Sequence, residues 1–148
     1  MEAPLPPELI ESFRRLNVEA ARELIGTPWH HQGRIPGIGI DCIGMLVCTA
    51  IRRGIPHMDS TDYHRKPTNG SLIRGLERSG LVRGGPEIYL SSVLAFWIRD
   101  KENPQHVGIR TDRGIIHTWE SVGKCVEHGF SDFWAERVHS VWEFPWQH

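Results

Sequence analysis

The stretch GIDCIGMLVC (residues 39–48) places a cysteine where a glycine-rich loop meets an apolar helix. The preceding residues, 27–40, contain several glycines and prolines, which favour a loop. After Cys42 apolar residues continue on nearly every side of the helix until Gly54 and Pro56 end it. The pattern predicts a buried helix with Cys42 in its first turn. Its thiol could be a packing group, half of a disulfide, a metal ligand or a nucleophile.

The rest of the chain divides into a helical first part and a strand-rich second part. Residues 17–26 and 71–80 carry apolar side chains at helical spacing. From Ile88 onward, short segments rich in Val, Ile and Trp alternate with turn residues, which is typical of an antiparallel sheet. The predicted strands are SSVLAFWIR (91–99), QHVGIRTD (105–112), GIIHTWES (114–121) and VHSVWEFP (138–145). This order predicts an α+β fold, with N-terminal helices packed on a C-terminal antiparallel β-sheet.

The length of 148 residues and the absence of repeats or linkers favour one domain over residues 1–148. Its proline-rich start, residues 1–14, is a candidate docking arm. The 17 Lys and Arg residues nearly balance the 18 Asp and Glu residues, so neither a nucleic-acid partner nor a charged membrane surface is expected. No apolar stretch reaches the roughly 18–20 residues of a membrane helix, and no signal peptide is visible. We therefore expect a soluble protein made in the cytoplasm.

Three cysteines are too few, and odd in number, for a disulfide scaffold. Cys48 and Cys125 lie in apolar surroundings and are interpreted as small packing residues. Cys42 differs, because the free N–H groups and the dipole at a helix start favour a thiolate. Asp41 is predicted to cap this helix and to accept hydrogen bonds from the loop, and contact with the substrate is its second interpretation.

A nucleophilic thiol needs a base and a group that orients the base, and the predicted strands offer two histidines. His106 begins one strand, and His117 follows 11 residues later in the next. If these strands form a hairpin around residues 112–114, they run about 4.8 Å apart, so the two side chains can form a hydrogen bond. Either histidine alone would more often be a core or surface residue. The histidines show no spacing typical of a zinc site, so no metal is expected.

The chain contains, in this order, the three segments ARELIGTPWHHQGRIPGIGIDCIGMLV (21–47), HVGI (106–109) and IIHTWE (115–120). Taken together, they resemble the NlpC-like cysteine peptidases of papain-like fold, and most of all the cell-wall peptidases of phages and gene-transfer agents. The similarity runs from about Val18 to Pro145 and includes the closing DFWAERVHSVWEFP. The family pattern implies that Cys42 attacks the scissile carbonyl, that His106 is the base and then the acid, and that His117 orients His106.

One position in the loop departs from this family pattern. The family usually has a Tyr there, with its hydroxyl facing the active site, whereas this chain has Trp29. An indole N–H can donate a hydrogen bond but cannot accept one. Trp29 is therefore a candidate contact to the substrate or to the oxyanion, at the edge of the cleft.

The resemblance implies a peptidoglycan hydrolase that cuts peptide stems or crosslinks through a Cys42 thioester, without a cofactor. It also implies a component of a phage-like or gene-transfer-agent tail, bound to tip or hub proteins and acting on the cell wall in the periplasm. Release of the particle would then export the enzyme without a signal peptide. Two alternatives stay open: a structural tail-assembly protein without activity, and an amidase or acyltransferase that uses the same Cys–His site.

Overall fold

The computed structural model describes residues 5–65 and 69–146. Over these residues most helices precede most strands, as the sequence predicts. The elements in chain order are α1 (Pro7–Arg22), β1 (Arg34–Ile35), β2 (Gly39–Ile40), α2 (Cys42–Arg53), α3 (Ser71–Arg78), β3 (Val82–Arg83), β4 (Val93–Phe96), β5 (His106–Arg110), β6 (Ile115–Trp119), β7 (Lys124–His128), α4 (Asp132–Ala135) and β8 (Val138–Glu143). No helix within the two described ranges has both the length and the apolar character that a membrane span requires.

The larger sheet is antiparallel, with the strand order β3-β8-β4-β5-β6-β7 in the described part of the chain. Strands β1 and β2 form a small separate hairpin just before α2. The loop between α1 and this hairpin pairs with the outer side of β7. Gly26 N–H donates to the Cys125 carbonyl (2.9 Å), and Trp29 N–H donates to the Gly123 carbonyl (2.8 Å). The loop that leads to Cys42 is thereby fixed to the sheet.

Helix α2 packs between α1 and the face of the sheet that β5 and β6 form. Its buried residues Met45 and Ala50 join Val107 and Ile109 of β5 in the main apolar core. The other face of the sheet carries a smaller cluster in which Trp134 of α4 packs. Because α2 is buried almost all round, its first turn is held firmly against the start of β5.

The predicted α+β fold, with helices packed on an antiparallel sheet, is confirmed. Helix α1 begins at Pro7, ten residues before the helix predicted at 17–26, because proline is well tolerated in the first turn of a helix. Residues 7–14 of the predicted docking arm are thus helical, and residues 1–4 lie outside the described residues. Docking by this segment stays a prediction.

Strand β7 was not predicted, although it is a full member of the sheet. Its sequence, KCVEH, contains only one β-branched residue and three charged or polar ones. It is a strand because it pairs along its whole length with β6, from Ile115 to Trp119. Strand formation at this position depends on tertiary pairing, which composition alone does not indicate.

Candidate active site

Cys42 is the first residue of α2, is half-buried and lines a cleft. The N–H groups of Cys42, Ile43 and Val107 face its thiol. Val107 directly follows His106 at the start of β5, so the thiol lies where the first turn of α2 meets that strand. Burial raises the pKa of Cys42 to about 12, with a further contribution from the negative charge of Asp41, and together they outweigh the N–H groups. The thiolate favoured by sequence position is therefore not the resting form, and the thiol is neutral.

Three histidines form a continuous line of hydrogen bonds across β5, β6 and β7. His106 Nε2 lies 2.7 Å from His117 Nδ1, and His117 Nε2 lies 2.7 Å from His128 Nε2. His128 Nδ1 in turn lies 2.9 Å from the backbone carbonyl oxygen of Gly129. The predicted hairpin is present, with His106 and His117 in contact, and the line continues one strand further than the sequence indicated.

The register of the strands produces this diagonal line. Ile109 of β5 pairs with Ile116 of β6, and His117 of β6 pairs with Val126 of β7. Side chains alternate between the two faces of a sheet, so the three histidines lie on the same face, each displaced diagonally from the next. Gly108, which lies opposite His117, leaves room for the neighbouring Phe96 ring, because a Cβ atom at position 108 would lie 3.2 Å from Phe96 Cε2.

Aromatic rings surround His106 and His117. The His106 ring stacks on Phe96 at 6.1 Å and lies 5.6 Å from Trp134, while His117 lies 4.9 Å from the same Trp134. Burial, and secondarily His117, lowers the pKa of His106 well below its usual value. Burial, and secondarily His128, lowers the pKa of His117 to about 4. Both rings are therefore neutral at neutral pH, the form that a general base requires.

These lowered pKa values predict that the protein loses stability on mild acidification. Below about pH 6.5 the histidines of the unfolded chain take up protons that buried His106 and His117 do not, so the free energy of unfolding falls as pH falls. Each contributes a slope of about 1.4 kcal/mol per pH unit until the pH reaches its folded-state pKa. Urea unfolding at pH 6.5, 5.75 and 5.0 measures this slope above the range in which most carboxylates titrate.

A His117→Asn variant is the matched control for this slope. It removes one of the two buried imidazoles, so its free energy of unfolding should depend less steeply on pH. Equal stability of the parent protein at pH 6.5 and 5.0 would show that the two histidines are not held neutral.

The cleft has a volume of about 380 Å³ and brings together most of the residues singled out from the sequence. Cys42, His106, Trp29 and Asp41 all line it, and His117 lies behind His106. The catalytic roles assigned to Cys42, His106 and His117 stay predictions, now with a common geometry. The cleft is also lined by Tyr63, Arg65, Arg99, Trp119 and Glu120.

Asp41 caps α2 as predicted and also holds the walls of the cleft. Its Oδ1 accepts from Gly44 N–H (2.8 Å) and from Arg34 Nη1 (3.1 Å). Its Oδ2 accepts from Gln32 N–H (2.8 Å) and from the Tyr63 hydroxyl (2.6 Å). Both carboxylate oxygens are thus occupied by protein donors. Contact between Asp41 and a substrate stays a prediction.

Tyr63 is a cleft residue that the sequence did not indicate. It belongs to the irregular segment between α2 and α3, and its hydroxyl accepts from Arg34 Nη2 (2.9 Å) while donating to Asp41. A tyrosine hydroxyl therefore lies in this cleft, but it comes from a different loop than the one that carries Trp29. Only the tertiary fold brings it there, and no local pattern around residue 63 could have signalled it.

Trp29 forms one wall of the cleft. The Arg65 guanidinium lies over its ring at 4.8 Å and forms an ion pair with Glu120 at 3.3 Å. The Arg65 side chain thereby joins the Trp29 loop to the segment after β6. Its cationic head against an aromatic ring is a favourable contact worth about 0.5–1 kcal/mol at an exposed site.

The other two cysteines are buried and free, as predicted for packing residues. The Cys48 thiol donates to the Arg34 carbonyl at 3.4 Å, and burial raises the pKa of Cys125 to about 11. Within residues 5–65 and 69–146 no group of three or more His, Cys, Asp or Glu side chains is arranged to hold a metal ion.

Several solved structures share this fold. An NlpC/P60 family protein from Bacillus cereus matches with a TM-score of 0.65 and 16% identity, over 95% of this chain and 41% of its own. NlpC1 from Trichomonas vaginalis matches with a TM-score of 0.62 and 18% identity, over 90% of this chain and 44% of its own. A Staphylococcus aureus protein of the NLP/P60 family, described as similar to lipoprotein, has a TM-score of 0.60 and 13% identity, over 96% and 43%.

This chain spans less than half the length of those three structures. Its sequence matches no protein-family model, and no curated protein matches it either. At identities below 20% the structural likeness concerns the fold alone. The chain therefore has the NlpC-like α+β fold of the NlpC/P60 proteins.

Proposed function

We propose that this protein is a cysteine endopeptidase that hydrolyses peptide stems or crosslinks of bacterial peptidoglycan. The observation that carries the proposal is the meeting, in one cleft, of a cysteine at a helix start and a neutral, buried histidine. A second histidine holds that first histidine through a 2.7 Å hydrogen bond. A nucleophile, a base and a group that orients the base are the three parts that covalent acyl transfer needs.

The chemistry follows from which ring nitrogen is free. His106 Nε2 is bonded to His117, so Nδ1 is left to take the Cys42 proton as sulfur attacks the carbonyl carbon. The negative oxygen of the tetrahedral intermediate can accept hydrogen bonds from N–H groups at the helix start. Protonated His106 then gives its proton to the leaving amine, and a thioester remains on Cys42. Water, activated by neutral His106, hydrolyses the thioester to a carboxylate and the free thiol.

The charges around the cleft are compatible with a peptide of this kind. Arg65 and Arg99 bring positive charge, and Glu120 brings negative charge, to the walls around Cys42. Stem peptides of peptidoglycan carry free carboxylate and amine groups along a short chain. Such a surface can form ion pairs with both kinds of group, whereas a purely apolar acyl chain offers no charge to pair with it.

Digestion of purified peptidoglycan tests the proposal directly. The purified protein is incubated with intact sacculi, and the soluble products are identified by mass spectrometry. New amine and carboxylate ends inside the stem peptide support an endopeptidase. Free stem peptides together with peptide-free glycan would indicate an amidase instead, and the absence of any soluble product would contradict hydrolysis.

We further propose that the protein belongs to a phage-like or gene-transfer-agent tail, where it is bound to tip or hub proteins. The support is the resemblance of its sequence segments to cell-wall peptidases of such particles. Residues 1–14 are the candidate attachment segment. Immunodetection in purified particles, with an abundant cytosolic protein as the contamination control, tests this placement, and its absence from intact particles would contradict it.

Trp29 should contribute a hydrogen bond to the reaction if its indole N–H contacts the oxyanion or the substrate. We then expect Trp29→Phe, which keeps an aromatic ring, to lower kcat by about 10²- to 10³-fold, the usual cost of losing one oxyanion donor. Trp29→Tyr should recover part of the loss, because it restores a donor. Steady-state kinetics on a defined stem peptide measures both variants, and unchanged kcat in Trp29→Phe would restrict Trp29 to shaping the cleft.

A further inference from the structure

His128 lies outside the cleft and outside the pair of histidines that the proposed mechanism uses. Its side chain is exposed at the end of β7, yet both ring nitrogens have partners. Nε2 lies 2.7 Å from His117 Nε2, and Nδ1 lies 2.9 Å from the Gly129 carbonyl oxygen. An exposed residue contributes little to the core, so these two contacts call for an explanation in terms of the site.

The carbonyl of Gly129 sets the direction of the hydrogen bonds along the line when each ring carries a single hydrogen. A carbonyl oxygen can only accept, so His128 Nδ1 must carry a hydrogen. A His128 ring with this single hydrogen has a bare Nε2, which accepts the hydrogen on His117 Nε2. Neutral His117 in turn has a bare Nδ1, which accepts the hydrogen on His106 Nε2. Neutral His106 is left with a bare Nδ1, the nitrogen that can take a proton from a thiol.

We propose that His128 is a positioning residue that fixes the tautomer of His106 through His117. The inference rests on the proposed function only in naming His106 as the base, because the tautomer itself can be measured without any catalysis. Without an acceptor at position 128, His117 is free to place its hydrogen on Nδ1 instead. It would then donate to His106 Nε2, and the hydrogen of His106 would move to Nδ1, where it blocks proton transfer from Cys42.

Three substitutions at position 128 separate hydrogen bonding from packing. His128→Gln keeps an acceptor oxygen for His117 Nε2–H, His128→Phe keeps a ring but no acceptor, and His128→Lys offers only donors. His139→Phe, on β8 and outside the cleft, is the matched control for loss of a histidine. Because His128 is exposed, all three variants should keep the parent melting temperature within a few degrees.

The readout is the 15N chemical shift of each ring nitrogen in histidine-labelled protein at neutral pH. In the parent, His106 should be protonated on Nε2 and bare on Nδ1. His128→Lys should reverse the tautomers of both His117 and His106, because a Lys ammonium makes His117 Nε2 an acceptor. His128→Phe should give a mixture of tautomers, and His128→Gln should restore the parent pattern.

Activity should follow the tautomer. In His128→Lys we expect kcat on a stem peptide to fall by about 10²-fold or more, because His106 in the wrong tautomer cannot accept the Cys42 proton. KM should stay near the parent value. His128→Gln should recover most of this loss, and His139→Phe should leave kcat unchanged. A parent His106 protonated on Nδ1, or a His128→Lys protein with unchanged tautomers, would overturn the inference. If the tautomers reverse as expected but the parent cleaves no peptidoglycan, the proposed function fails and the positioning role stands.

Discussion

Cys42→Ala should eliminate peptidoglycan hydrolysis while leaving the fold intact. The substitution removes the sulfur that forms the thioester, and loss of a nucleophile from an acyl-transfer site lowers kcat by up to about 10⁶-fold. Cys42 is only half-buried, and alanine is slightly smaller and favours a helix, so stability should change little. Mass spectrometry of soluble fragments from sacculi measures the loss, and circular dichroism verifies that the variant is folded.

Cys48→Ala provides a control for cysteine loss in the same helix. Cys48 is buried and its thiol donates to the Arg34 carbonyl, so this variant should be less stable by about 1 kcal/mol but still active at 25 °C. Fragment release by Cys42→Ala at the parent rate would exclude the thioester mechanism. Loss of activity in folded Cys48→Ala would instead point to a disturbance of α2 as a whole.

His106→Ala should give the next largest loss of activity. Removing the base leaves the neutral thiol without a proton acceptor and the leaving amine without a donor, which usually costs about 10²- to 10⁴-fold in kcat. His117→Ala should cost less, because it removes the group that orients the base and leaves the base itself in place. Both side chains are buried, so His106→Asn and His117→Asn should be measured in parallel to separate cavity effects from chemistry.

The relative loss of activity in His106→Asn and His117→Asn decides which histidine is the base. If folded His106→Asn keeps most of the activity, the base has been assigned to the wrong residue. If His117→Asn is as inactive as His106→Asn, His117 contributes more than orientation, as it would if the tautomer of His106 depended wholly on the line that ends at Gly129.

The parts of the site that the sequence predicted depend on local patterns. The all-round apolar run after Asp41 predicts the buried helix, and two strand-like segments around a tight turn predict the hairpin that joins His106 to His117. Two features depend on tertiary structure instead. The pKa of Cys42 is raised mainly by burial, which cannot be inferred from a position at the start of a helix. Tyr63 lies in the cleft because Arg34 and Asp41 hold its hydroxyl there.

The position of His128 could have been predicted from the sequence only in part. Its strand has a weak β pattern, so the sequence did not place it in the sheet. However, His106, His117 and His128 follow one another at equal intervals of 11 residues, which is the signal that two successive hairpins of similar length would give. Equal spacing of one residue type across neighbouring strands is a pattern that a sequence search could use.

The pairing of the Gly26–Trp29 loop with β7 has a consequence for behaviour at high concentration. An outermost strand exposes a row of unpaired N–H and C=O groups, and such a row can capture a strand from another molecule. Here the loop covers the first part of that row, through its bonds to Cys125 of β7 and to Gly123 just before the strand. The opposite end of the sheet is formed by β3, which is only two residues long. Both edges of the sheet are thus poor templates for aggregation. The loop that forms a wall of the cleft also protects the sheet from intermolecular association.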